Sequence, residues 1–236
     1  MIVQHFTYND IQTFEQRYKA QFINSLSGFK SANLIGSHDV NANSNLGIFS
    51  SVVHIGSNPA LVGFIMRPDN GERHTLNNII NTQQYTINQV STEHYRMAHQ
   101  CSARYASDES EFNHTGLTPQ YVANINAPFV KESRLKYALT LQEILPISLN
   151  NTQLIIGEII HVICQKHAIQ PDGYIDIESL STASLSGLDS YHTSNRISRL
   201  SYAKPNKALS ALNVMGATVQ QDEQITINDK LEAGDD

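Results

Sequence analysis

The chain has 236 residues, 40% of them hydrophobic and 16% charged, with a formal net charge of −6, long enough to bury one elaborated core. Residues 218–236 hold Asp222, Glu223, Asp229, Glu232, Asp235 and Asp236 against Lys230 alone, so nearly all of that charge belongs to the tail. A near-neutral body excludes a dedicated nucleic-acid binder, which carries a basic excess, and a polybasic membrane-surface protein.

No apolar run approaches the ~18 residues of a membrane helix. The N-terminus has no basic region followed by an apolar stretch, so no secretory signal is expected and the cytoplasm is the expected location. Residues 10–22 read as one short amphipathic helix opened by Asn9-Asp10. After Gly28 the pattern turns strand-like: residues 31–38, a polar loop at 39–45, then strands over 46–55 and 60–67, separated by Gly56-Ser57-Asn58-Pro59. Connections this short imply antiparallel neighbours. A short helix is expected at 75–81 and a strand at 85–90. A helical stretch at 91–105 has Ser91 as its cap and Glu93 in its first turn. Residues 111–128 read as irregular. Residues 137–144 and 154–164 are the last strong strands, and 180–191 reads as a weak helix. The expected fold class is mainly β, a β-barrel with short helical insertions. No Gly-x-Gly-x-x-Gly follows a strand and no Walker loop is present, which excludes the common nucleotide folds.

Two segments carry candidate chemistry. Asn45-Leu46-Gly47-Ile48-Phe49-Ser50-Ser51 places backbone N–H groups, hydroxyls and a flat ring in succession, the parts that hold a polar planar heterocycle; an ordinary strand with exposed serines is the competing reading. Arg67 and Arg73 precede Thr75 at an expected helix start, where cations, a hydroxyl and unpaired N–H groups suit a phosphate; a solvated, capped loop competes with it. The ten histidines lack metal-ligand spacing, His94 and His99 being five apart. His54 reads as a strand residue that could line a site. Cys164 reads as a small packed hydrophobe, and nothing beside Cys101 suggests a depressed thiol pKa. Arg196, Arg199, Lys204 and Lys207 form a late basic stretch, and the acidic end reads as a mobile tail.

The ordered series Asn45…Phe49-Ser50-Ser51, Pro59 to Phe64, Arg67-Pro68-Asp69, Thr75…Asn78-Ile79 and Tyr85 to Asn88 resembles the flavin reductase-like family. It continues through Glu111-Phe112, Gly116-Leu117-Thr118-Pro119, Ala127-Pro128, Glu132-Ser133, Gly157-Glu158 and Ser198 to Pro205. The resemblance implies an FMN-binding split barrel over residues 30–207, after an N-terminal extension at 1–29 with a short helix and before a C-terminal segment at 208–236. It implies FMN, with FAD as the lesser alternative, held at the interface of a homodimer. Asn45, Phe49, Ser50 and Ser51 would border the ring and ribityl group. Arg67, Arg73 and Thr75 would hold the phosphate, Asn78 would support their turn, and Arg199 would approach from the late basic stretch. NAD(P)H would be the co-substrate, and a partner oxygenase the possible acceptor of the reduced flavin.

Two positions depart from the family pattern. Thr152 stands where many relatives carry a histidine associated with nicotinamide binding, and Leu139 where many carry a cysteine. They motivate an alternative, an FMN-binding electron-transfer or flavin-storage protein without NAD(P)H turnover. A split barrel of the pyridoxamine-phosphate oxidase type is a third reading.

Overall fold

The structure is a computed structural model that describes residues 2–68, 74–106 and 108–219. Helix α1 (Tyr8–Thr13) is capped by Thr7, whose hydroxyl accepts from Asp10 N while the Asp10 carboxylate accepts from Thr7 N. Glu15 caps a second helix, α2 (Gln16–Leu26), by accepting from Arg17 N and Tyr18 N. The single helix expected over 10–22 is therefore two. The Glu15 carboxylate takes the N–H groups that a continuing helix would have paired with its own carbonyls.

The strands follow in chain order as β1 (Lys30–Ser31), β2 (Asn33–His38), β3 (Ser44–Phe49), β4 (Val53–Ser57) and β5 (Ala60–Met66). Next come α3 (His74–Thr82), β6 (Gln84–Gln89), α4 (Tyr95–Gln100), α5 (Glu111–Thr115), β7 (Pro119–Val122) and β8 (Ile125–Val130). The chain then runs through β9 (Leu135–Ile147), β10 (Thr152–Cys164), β11 (Ala183–Ser186), β12 (Ser190–Thr193), β13 (Arg199–Leu200) and β14 (Ala211–Leu212).

Seven of these strands form one antiparallel sheet in the order β3-β2-β6-β9-β10-β5-β4. β3 and β4 occupy its two ends, yet only residues 50–52 separate them in the chain. Laid flat, seven strands would hold the end strands about 29 Å apart. The link from Phe49 to Val53 can reach at most about 14 Å. The sheet must curl until its ends nearly meet, which makes a barrel open along one seam.

The barrel interior is filled by fully buried Ile35, Phe64, Tyr85, Ile87, Leu139 and Ile155, with Leu76 and Ile79 added by α3. A second cluster joins Leu34 and Leu46 to Phe112, Leu117 and Leu185. Gly157 lies at a register shift of β10 on β9, where a Cβ would overlap the Tyr85 hydroxyl. The β7–β8 hairpin is fastened to β6 by side chains: Thr86 Oγ1 donates to Pro128 O at 2.6 Å, and Val130 N donates to Asn88 Oδ1 at 2.9 Å.

Three further expectations are corrected. Residues 111–128 are ordered as α5 and the β7–β8 hairpin, which turns through Asn124 at φ +68°. Residues 180–191 form strands, because Ala183 and Leu185 are buried alternately with serines before a turn at Gly187 (φ +59°). The helix expected over 91–105 is the shorter α4, preceded by His94; the Ser91 hydroxyl bonds His94 Nδ1 instead of capping it, and Glu93 pairs with Arg134 at 2.7 Å. No helix among the described residues is long and apolar enough to cross a membrane.

Candidate functional site

Beside β3 and its link to β4 the chain leaves a cavity of about 720 Å³, inside the ~300–1,000 Å³ range of small-molecule sites. One wall comes from β3 and its link to β4 (Asn45, Gly47, Phe49, Ser50, Ser51), from Arg67 after β5, and from Thr75 in the first turn of α3. A Cβ at Gly47 would sit 3.0 Å from the Phe49 ring and 3.3 Å from Thr75 Oγ1, so the missing side chain lets these two residues pack closely over the strand.

Asn45 Nδ2 donates to Thr75 Oγ1 at 2.9 Å and to Ser37 Oγ at 3.3 Å; Asn78 Nδ2 donates to the same Ser37 oxygen at 3.2 Å. Thr75 accepts from within the chain and keeps its own hydroxyl hydrogen to donate outward. Asn78 is buried and works from behind the wall. Ser51 Oγ both accepts from Ile65 N and donates to Ile65 O, stitching the link to β5. Ser50 makes no hydrogen bond with a described residue and has the freer hydroxyl. Arg67 is exposed and held by Asn24 Oδ1 at 3.2 Å. Burial, then the neighbouring Arg67 charge, lowers the Lys30 pKa, and Lys30 Nζ is spent on Asn24 O and Gly187 O.

Of the nine residues proposed from sequence, Asn45, Phe49, Ser50, Ser51, Arg67 and Thr75 line one cavity, with Asn78 directly behind. Arg73 lies outside the described residues, as does the tail from residue 220. Arg199 is elsewhere. It pairs with Asp172 at 2.6 Å, donates to Val214 O and lies 4.2 Å above the Tyr174 ring, while Arg196 pairs with Asp176 and Glu178. The two arginines of the basic stretch are thus paired with acids 18 to 27 residues upstream, which a local charge count does not see. His54 is exposed on β4 and does not line the cavity. Cys101 lines it, but burial pushes its thiol up to about 12, and Cys164 is partly buried beside Leu135, Ala168 and Leu180.

The opposite wall was not anticipated. It comprises His99 to Tyr105 after α4, Glu111, and Leu185, Leu188 and Tyr191 of the β11–β12 hairpin. The Glu111 carboxylate is buried and accepts from Leu46 N at 2.8 Å. Burial raises its pKa against the lowering by that bond. A carboxyl with a folded pKa above its unfolded one contributes stability below the unfolded value and loses it as pH rises through the folded value. Glu111→Gln is therefore expected to gain on the wild type as pH rises from 4.5 toward neutrality. Urea midpoints measured across that range check this, and a constant difference between the two proteins would refute it.

The flavin reductase like domain profile matches residues 28–179. A solved split-barrel protein from Shewanella frigidimarina NCIMB 400, assigned as a flavin reductase, is 52% identical, with a TM-score of 0.83 over 85% of this chain and 100% of that one. Nitrilotriacetate monooxygenase component B from Bacillus cereus shares the fold at 18% identity, with a TM-score of 0.73 over 83% of this chain and 98% of its own. Flavoredoxin of Desulfovibrio vulgaris (Miyazaki F) does so at 22% identity and TM-score 0.64, over 77% and 93%. A curated Aquifex aeolicus (strain VF5) protein of undescribed function is 25% identical over 99 residues, 42% of this chain and half the length of that protein.

Proposed function

This chain belongs to the flavin reductase-like family, and we propose that it is an FMN-dependent oxidoreductase that takes hydride from NADH or NADPH. The observation that carries the reading is the wall on which Gly47 to Ser51, Arg67 and Thr75 converge although they arise from separate elements. A bound flavin would supply the hydride and electron chemistry. The chain's own residues would do the rest. Arg67, the Thr75 hydroxyl and the first-turn N–H groups of α3 suit a phosphate. Phe49 and the backbone beside Gly47 offer a flat surface for a ring, and Ser50 a hydroxyl for its polar edge. Asn45, Asn78 and Ser37 hold Thr75 in place. We take FMN over FAD because these residues would serve one phosphate.

Freshly purified protein is expected to show the visible absorbance of oxidised flavin and to bleach on anaerobic mixing with NADH or NADPH. Bleaching by dithionite but by neither nucleotide would overturn the hydride reading in favour of electron transfer or flavin storage. A partner oxygenase accepting the reduced flavin belongs to the same proposal.

We further propose a homodimer. Val53 and Ile55 on end strand β4, with Ile160 and Val162 on β10 beyond its pairing with β5, leave apolar side chains exposed, the kind of surface a partner covers. Light scattering is expected to give twice the chain mass, and a monomer at working concentration would contradict it.

A further inference from the structure

We infer that Asn24, near the C-terminal end of α2 in the N-terminal extension, is a positioning residue of the cavity: it fixes the Arg67 guanidinium at the phosphate end without cancelling its charge. This rests on the phosphate reading of Arg67.

Arg67 leaves β5 as an exposed side chain with many rotamers open to it. Its hydrogen-bond partner among the described residues is Asn24 Oδ1, which accepts from Arg67 Nη2 at 3.2 Å. The helix fixes the orientation of that amide, because Asn24 Nδ2 donates to Ala20 O at 2.8 Å, one turn back. With its nitrogen committed to a carbonyl, the amide turns its oxygen to the guanidinium.

Helix α2 is itself seated at the cavity. Lys30 Nζ donates to Asn24 O at 3.0 Å and to Gly187 O at 2.8 Å, and Gln21 Nε2 donates to Asp189 Oδ2 at 3.1 Å. These bonds tie α2 to the turn between β11 and β12, whose Leu188 lines the wall facing Arg67. Asn24 precedes residue 28, where the family match begins, so the device lies outside the matched domain.

The residue type suits the task. An amide oxygen takes one of the five guanidinium N–H donors and adds no negative charge. A carboxylate in its place would form an ion pair with Arg67 and repel a phosphate.

Fluorescence titration of the full chain with FMN and with riboflavin, which lacks the phosphate, tests the assignment. Asn24→Ala should weaken FMN about threefold and leave riboflavin binding unchanged. Asn24→Asp keeps an acceptor but adds a charge, and should weaken FMN about tenfold in dilute buffer, a loss that salt reduces. Arg67→Ala should weaken FMN about tenfold, and adding Asn24→Ala to it should cost nothing more. The inference is overturned by additive losses in the double variant, by equal losses of FMN and riboflavin, or by Asn24→Asp binding FMN as well as Asn24→Ala does. It also falls if Asn24→Ala keeps wild-type FMN affinity where Arg67→Ala does not. Wild-type FMN affinity in Arg67→Ala itself would overturn the phosphate reading of Arg67, and the role of Asn24 with it.

Discussion

Replacing Arg67 and Thr75 together with Ala should weaken FMN binding by about a hundredfold while leaving riboflavin binding nearly unchanged. Each residue would contribute a hydrogen bond to a charged phosphate, worth about 1.5–3 kcal/mol. The lower end applies to Arg67, which is exposed and works in a screened environment. Riboflavin has the same ring and ribityl chain without the phosphate, so the ratio of the two affinities isolates the phosphate end from any general loosening of the wall. Flavin fluorescence titrations of the two ligands measure it. A parallel loss of both would mean that the substitutions disturb the ring site, and unchanged FMN affinity would remove the phosphate assignment. Thr75 is the more informative residue, because its oxygen is fixed by Asn45 at 2.9 Å and Asn45 is in turn fixed through Ser37.

Gly36→Ala should cost about 3–5 kcal/mol of stability. A Cβ at this position on β2 would overlap the Pro128 carbonyl oxygen and come within 2.6 Å of Thr86 Oγ1. Those two atoms are hydrogen-bonded to each other and hold β8 on the barrel. Overpacking of this kind costs about 1–3 kcal/mol. Displacing β8 also loses the bonds at Thr86 and Asn88, at about 1 kcal/mol each. The sum is a large part of the ~5–15 kcal/mol that typically separates folded from unfolded states. Gly56→Ala is the control, since the nearest atom to its Cβ would be 3.6 Å away. Denaturant unfolding of both variants is the measurement. Equal midpoints would show that β8 does not pack against β2 as closely as these contacts require.

The wall lined by Asn45 to Ser51, Arg67 and Thr75 was legible because its parts are local in sequence: a Gly–aromatic–Ser–Ser strip, and an arginine shortly before a threonine at a helix start. Each has a physical signature within about ten residues, and their order along the chain carried the resemblance. Capping and strand boundaries at 7–15, 91–105 and 180–191 were less legible. There the outcome depended on which of several competent side chains bonded backward, and on whether a Ser-rich alternation found a sheet edge to join.

The sequence by itself determined the class of fold, the antiparallel succession of strands and one face of the site, because period, turn residues and helix starts are short-range properties of the chain. Only the tertiary structure decided that the sheet curls into an open seam. That follows from three residues spanning the ends of a seven-stranded order. It alone brought Glu111 and the 185–191 hairpin across the cavity, and drew Arg199 away to Asp172. Those pairings join residues tens of positions apart. Which segment faces which is set by burial and hydrogen bonding across the whole barrel, and no local pattern encodes it.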